Sequence, residues 1–170
     1  VTYKNGEEIP ETNIESYFVW IPRYKYKIFN AEDGTATEQM IEIEFENTDT
    51  EKSTGSTNGT WLTHPAFTFG TTELNGIWVG KFETSKDSTK NLITIKPNVQ
   101  SLTNTNVSNM FNYLRNVELQ YANTYGLTKE DIDVHMMKNM EWGAVAYLTN
   151  SIYGRYTSSS GCINTGCEVW

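Results

Sequence analysis

The clearest pattern in the chain is a pair of alternating runs. In SYFVWIPRYKYKIF, residues 16–29, Tyr24, Tyr26 and Ile28 alternate with Arg23, Lys25 and Lys27. In MIEIEFE, residues 40–46, Ile41, Ile43 and Phe45 alternate with Glu42, Glu44 and Glu46. A period of two sends successive side chains to opposite faces, so each run predicts a half-buried strand. Paired antiparallel across the loop that holds Asp33-Gly34, the strands share an apolar inner face. Their outer face then sets Lys27 against Glu42, Lys25 against Glu44 and Arg23 against Glu46. Each exposed pair contributes only about 0.2–1 kcal/mol, while a one-residue slip would expose the whole apolar row. The apolar pattern therefore sets the register and the charges refine it. Pro22 predicts an edge position, a bulge or a bend between two shorter strands.

Elsewhere the pattern is less regular. Residues 1–15 are polar, with Asn5-Gly6 as a turn signal and Pro10 as a breaker, and read as a lead-in. Residues 47–60, NTDTEKSTGSTNGT, offer almost nothing to bury and predict an exposed, mobile loop, after which Trp61, Pro65, Phe67 and Phe69 return the chain to the core. GIWVGKFETS, residues 76–85, is apolar on both faces except at Lys81 and Glu83 and predicts an interior strand covered on two sides. LITIKP, residues 92–97, predicts a short strand ended by Pro97.

From Val107 to Tyr125 the apolar positions Val107, Met110, Phe111, Leu114, Val117, Tyr121 and Tyr125 recur every three or four residues, one face of a helix that Gly126 should stop. A second helix is predicted to start with Asn139 as N-cap and Glu141 in its first turn, to bury Trp142, Val145, Leu148 and Ile152, and to end at Gly154. Gly143 costs such a helix about 1 kcal/mol relative to Ala, which suggests a close approach by another element. The remaining segment, RYTSSSGCINTGCEVW, reads as a loop or hairpin cut short at Trp170.

Composition narrows the class. A chain of 170 residues fits one core, and its ten Tyr and five Trp supply large buried area and ring surface for stacking. A formal net charge of −8 argues against nucleic acid and anionic membranes, since phosphate binding needs clustered Lys and Arg. The one basic row, Arg23, Lys25 and Lys27, is already explained by strand pairing. No apolar run reaches the length of a membrane span, and a chain that begins at Val1 without a leader reads as a processed or excised piece. Cys162 and Cys167, in a Gly- and Ser-rich segment, are close enough for a loop-closing disulfide, which would fit an oxidising compartment, and otherwise read as inert thiols.

Three segments in order, FVWIPRYKYKI, GIWVGKFETS and NMEWGAVAYL, resemble the formylglycine-generating-enzyme and sulfatase-modifying-factor superfamily. They are also similar to surface-type proteins of Gram-positive gut bacteria. The resemblance implies an α+β, C-type-lectin-like fold: a small twisted, mostly antiparallel sheet with two helices and long loops. It also implies a lead-in over 1–15 and a single domain over 16–170 that is incomplete at its C-terminus. In the catalytic branch two cysteines activate oxygen with copper. Cys162 and Cys167 share that C-x4-C spacing but follow the Trp142 helix directly and lack Arg-rich flanks, so they are candidates for catalysis only under the oxidase reading.

Other chemistry is thin. His135 with Glu141 and His64 with Glu73 lack the spacing of a helical zinc pair and read as capping or hydrogen-bonding groups. No calcium loop of the D-x-D-x-D-G type occurs, and Lys96-Pro97-Asn98 places a cation where the lectin sugar motif needs a carboxylate or amide. The Glu42, Glu44 and Glu46 row reads as a solvated strand face and not as a glycosidase acid pair. No cofactor is expected. The function expected is therefore a noncatalytic extracellular or cell-surface domain, from an adhesin, a pilus-like subunit or a phage-type receptor-binding protein. Its partner would be a surface glycan, a protein or copies of itself. The alternatives are a copper-dependent oxidase and a purely structural, self-assembling subunit.

Overall fold

The two alternating runs form a hairpin whose register can be read residue by residue. The computed structural model describes residues 2–28, 40–48, 52–55, 59–87, 92–128 and 130–154. Among the described residues nine short strands and two α-helices follow in order: β1 (Phe18–Pro22), β2 (Tyr24–Lys27), β3 (Glu42–Phe45), β4 (Leu62–Thr63), β5 (Thr68–Phe69), β6 (Thr72–Glu73), β7 (Gly76–Gly80), β8 (Ser85–Asp87), β9 (Leu92–Thr94), α1 (Val107–Tyr125) and α2 (Asn139–Thr149). The fold is thus mixed α and β, with small sheets and two helices. The chain divides into two compact units that interleave along the sequence: Val1–Val19 with Trp78–Met136, and Trp20–Ile77 with Met137–Trp170.

In the second unit β2 is the centre of a three-stranded sheet of order β3-β2-β4. Its antiparallel register with β3 sets Lys25 opposite Glu44, Tyr26 opposite Ile43 and Lys27 opposite Glu42. Tyr24, Tyr26 and Ile43 are buried with Phe67, Ala144 and Ala146, as the alternation requires, but Phe45, expected on the same inner face, is 46% exposed at the end of β3. The long run breaks where Pro22 cannot donate to a ladder, and Arg23, between β1 and β2, donates its N–H to the Asn75 carbonyl at 2.8 Å. Of the polar stretch 47–60, the described residues 52–55 run alongside β4. Thr63 N–H donates to the Ser53 carbonyl at 2.9 Å, and Ser53 N–H to Thr63 Oγ1 at 2.8 Å. Hydrogen bonds, not apolar burial, hold this segment, so hydropathy alone read it as loose.

The second helix departs from its expected face. Lys138, not Asn139, is the N-cap, and Glu141 accepts from the Lys138 N–H at 2.7 Å in the first turn. The helix ends at Thr149, and Gly154 lies in the turn beyond it. Trp142 and Ile152 are exposed, whereas Ala144 and Ala146 are buried. The reason is close approach: Tyr24 Oη donates to the Ala144 carbonyl at 2.6 Å, and only a face of small residues lets a strand side chain reach the helix backbone. Gly143 faces His64, but a Cβ there would stand 3.7 Å from Nε2, an ordinary contact, so space does not require the glycine.

In the first unit β8 and β9 pair antiparallel, with Lys86 opposite Ile93, and β9 packs on α1. Asn106 caps α1 by accepting from Asn109 N–H at 2.8 Å, and Gly126 closes it in the left-handed conformation at φ 67°, where a side chain would be strained. Val117 is buried, but Val107 and Phe111 are exposed, so the apolar stripe of α1 is covered only in part. Glu118 is buried in its place. Its carboxylate pairs with Arg115 at 2.7 Å and accepts from the Val134 N–H at 3.0 Å, holding the segment after the helix. β7 is not a doubly covered interior strand: among the described residues it pairs only with β1, and Trp78 is 66% exposed. Its uniformly apolar sequence therefore marks exposed ring surface and not a doubly covered core strand.

Candidate functional site

The outer row of the hairpin splits into two environments. Lys25 with Glu44, at 3.0 Å, and Lys27 with Glu42, at 2.8 Å, lie at the surface, and both ammonium groups also stand over the Trp61 ring, 5.2 and 5.1 Å from its centroid. Arg23 and Glu46 do not share that exposure. They are 1% and 8% exposed, with Arg23 Nε 3.3 Å from Glu46 Oε2. This corrects the reading of a uniformly solvated face, because β6 and the Ser53 segment supply further partners at this end of the row.

Those partners engage the buried charges. Arg23 Nη1 donates to Glu73 Oε2 at 2.7 Å and to the Phe67 carbonyl at 3.3 Å. Glu46 accepts from Thr63 Oγ1 at 2.8 Å and from Ser53 Oγ at 3.2 Å. Glu73 also binds Lys52 and accepts from Thr68 Oγ1. Hydrogen bonds from Lys52 first, then Arg23 and Thr68, outweigh its slight desolvation and hold the Glu73 carboxyl down at about 2. Glu73 is therefore part of this cluster and not a partner of His64.

Against this cluster lies an open cleft of about 680 Å³ lined by Trp20, Pro22, Phe45, Asn47, Thr48 and Asn75, with Arg23 and Glu46 at its base. Three separated stretches are brought together here by main-chain bonds on either side of Arg23: its N–H to the Asn75 carbonyl, and the Glu46 N–H to the Arg23 carbonyl at 3.1 Å. Thr48 and Asn75 are joined through Oγ1 and Oδ1. Trp20 and Phe45 leave 39% and 46% of their surfaces exposed and bring ring surface to the lining, Phe45 also packing on Tyr153 at 4.9 Å, while Asn47, Thr48 and Asn75 bring amide and hydroxyl groups. Arg23, Glu46 and Phe45 stand out in the sequence only as members of the alternating rows, and Trp20, Asn47, Thr48 and Asn75 carry no signal of a shared site. Pro22 interrupting an aromatic strand is the one local signal.

The remaining candidates separate. His64 Nδ1 accepts from Ala66 N–H at 3.2 Å and so caps the turn at Pro65–Phe67, while its ring lies among those of Tyr24, Tyr26, Phe67 and Tyr147. Burial pushes it down to about 4, so it is neutral at pH 7. His135 pairs with Asp133 at 2.7 Å. Lys138 stands 4.1 Å over the Phe69 ring. Among the described residues no three His, Cys, Asp or Glu side chains are grouped to hold a metal ion, and no helix is long and apolar enough to cross a membrane. Cys162 and Cys167 lie outside the described residues. No protein-family model, curated protein or solved structure matches the chain.

Proposed function

We propose that the chain is a noncatalytic, extracellular binding domain on a C-type-lectin-like scaffold, of the kind found in adhesins, pilus-like subunits and phage-type receptor-binding proteins. The observation that carries this reading is the cleft of Trp20, Phe45, Asn47, Thr48 and Asn75 beside an ion-paired cluster. A lining of aromatic surface with a few polar groups suits recognition of a ligand. The adjacent carboxylate is poorly suited to chemistry. A general acid or base works best with a pKa near the operating pH, and Glu73 is held charged down to about 2. Glu46 is likewise committed to Arg23, Thr63 and Ser53.

The test is a direct comparison of binding with turnover. The purified chain is expected to bind saturably to whole cells or to an immobilised glycan panel, and to convert no cysteine of a test peptide to an aldehyde beyond a control with copper and oxygen alone. Chain-dependent aldehyde formation, with no saturable binding to either surface, would overturn the proposal.

A further inference from the structure

We infer that the cleft takes one pyranose ring of a neutral carbohydrate, an inference that rests on the binding reading above and names its ligand class. The walls are the first reason. Trp20 and Phe45 contribute part-exposed ring surface to the cleft lining, the Phe45 ring also packing on Tyr153 at 4.9 Å, and the flat C–H face of a pyranose removes such surface from water while leaving the sugar's rim free to hydrogen-bond. The polar lining is the second. Asn47 carries an amide donor and an amide acceptor; with the Thr48 hydroxyl donating to Asn75 Oδ1, Thr48 Oγ1 remains an acceptor and the Asn75 amide nitrogen a donor. A sugar hydroxyl also donates and accepts, so mixed groups match it better than a row of cations would.

Charge is the third reason, and it decides between neutral and anionic ligands. Arg23, the cation at the base, is already engaged by Glu46 and Glu73, and Lys52 by Glu73. A phosphate or carboxylate entering here would compete with two carboxylates for the same guanidinium, whereas a neutral ring leaves the cluster intact. The Thr48 to Asn75 bond and the two main-chain bonds at Arg23 hold the lining in place before the ligand arrives, which lowers the ordering cost of binding. The cleft is open and not enclosed, which fits a ring within a longer glycan and a weak single-site affinity.

The experiment uses the intact chain with methyl α- and β-pyranosides of glucose, galactose, mannose and N-acetylglucosamine, read by saturation-transfer NMR and titrated to an affinity. At least one neutral pyranoside is expected to bind at millimolar concentration, with transfer strongest to its ring C–H protons. Asn47→Ala, at an exposed position, is expected to weaken it about tenfold, the worth of one hydrogen bond to a fixed polar group. Trp20→Ala should weaken it at least as much, and Trp20→Phe should retain part of the binding even if the alanine variant fails to fold. Phe111→Ala, on α1, should change nothing. Pyranoside binding untouched by both Asn47→Ala and Trp20→Phe would overturn the assignment to this cleft. Binding only of sialylated or sulfated sugars would overturn the neutral class. Cell binding that survives enzymatic removal of surface glycans would overturn the carbohydrate inference and leave the binding reading standing. Failure to bind both cells and sugars would overturn both.

Discussion

His64 makes the stability of this protein depend on pH in a window that Glu73 does not share. The imidazole sits among four aromatic rings with Nδ1 taken up by the Ala66 N–H, and burial lowers its pKa from 6.5 to about 4. The tyrosines Tyr24 and Tyr26 that face it are pushed upward by burial and stay uncharged throughout. Between those two pH values the unfolded chain binds a proton at His64 that the folded chain does not. Stability therefore falls as pH drops from about 6.5 towards 4 and levels off below. The full difference is about 3 kcal/mol, and about 2 kcal/mol of it should be lost between pH 7 and pH 5. With a urea slope of about 2 kcal/mol per M, the unfolding midpoint should move down by about 1 M.

Urea titrations at several pH values, followed by tryptophan fluorescence, measure this directly, and imidazole NMR shifts give the folded pKa. His64→Asn is the informative variant. Asparagine keeps an acceptor at the cap and removes the titrating group, so the variant should be less stable at pH 7, for want of the ring, but much flatter between pH 7 and pH 5. Glu73 does not contribute in this window. Its folded carboxyl is depressed, so its stabilisation is complete above the unfolded carboxylate range and is lost only as pH falls towards about 2. An imidazole that titrates near 6.5 in the folded protein, or a variant with the same slope as the parent, would refute the buried-neutral assignment.

Three further measurements test other parts of the structure. Gly143→Ala should stabilise the protein by about 0.5–1 kcal/mol and raise the melting temperature by a few degrees, because α2 gains helix propensity and the new methyl meets His64 at an ordinary 3.7 Å; a lower melting temperature would contradict that spacing. Glu118→Ala should cost about 1–3 kcal/mol and speed hydrogen exchange at Val134, whose N–H loses its acceptor. Double-mutant cycles along the hairpin should give under about 1 kcal/mol of coupling for Lys25 with Glu44, while Arg23→Ala alone should cost about 3–5 kcal/mol by stranding Glu46. Equal costs at the two positions would mean that the row is uniform after all.

That last contrast also shows why some of this molecule could be read from its sequence and some could not. The register of β2 on β3 follows from a period of two and a penalty for slipping, both local, so Lys25 against Glu44 and Lys27 against Glu42 could be written down beforehand. The α1 stop at Gly126 is local in the same sense. Period two says which face a residue takes but not what covers that face. Arg23 and Lys25 are indistinguishable by alternation, yet only Arg23 meets Glu73, fifty positions away. The helix face of α2 was misread for a related reason: apolar size pointed to Trp142 and Ile152, whereas contact with Tyr24 selected the small residues Ala144 and Ala146.

The cleft inherits this difficulty, since Trp20, Phe45 with its neighbours and Asn75 come from three stretches that meet only because the chain turns around Arg23. Burying a guanidinium and a carboxylate is costly, and the pair adds little net stability over apolar residues of the same size. An apolar residue at 23 would keep the main-chain bonds to Asn75 and Glu46 but lose the guanidinium bonds to Glu73 and to the Phe67 carbonyl. The most expensive pair in the hairpin therefore ties β6 and the turn before β5 to this edge of the sheet, and the cheap surface pairs beside it are ordinary sheet.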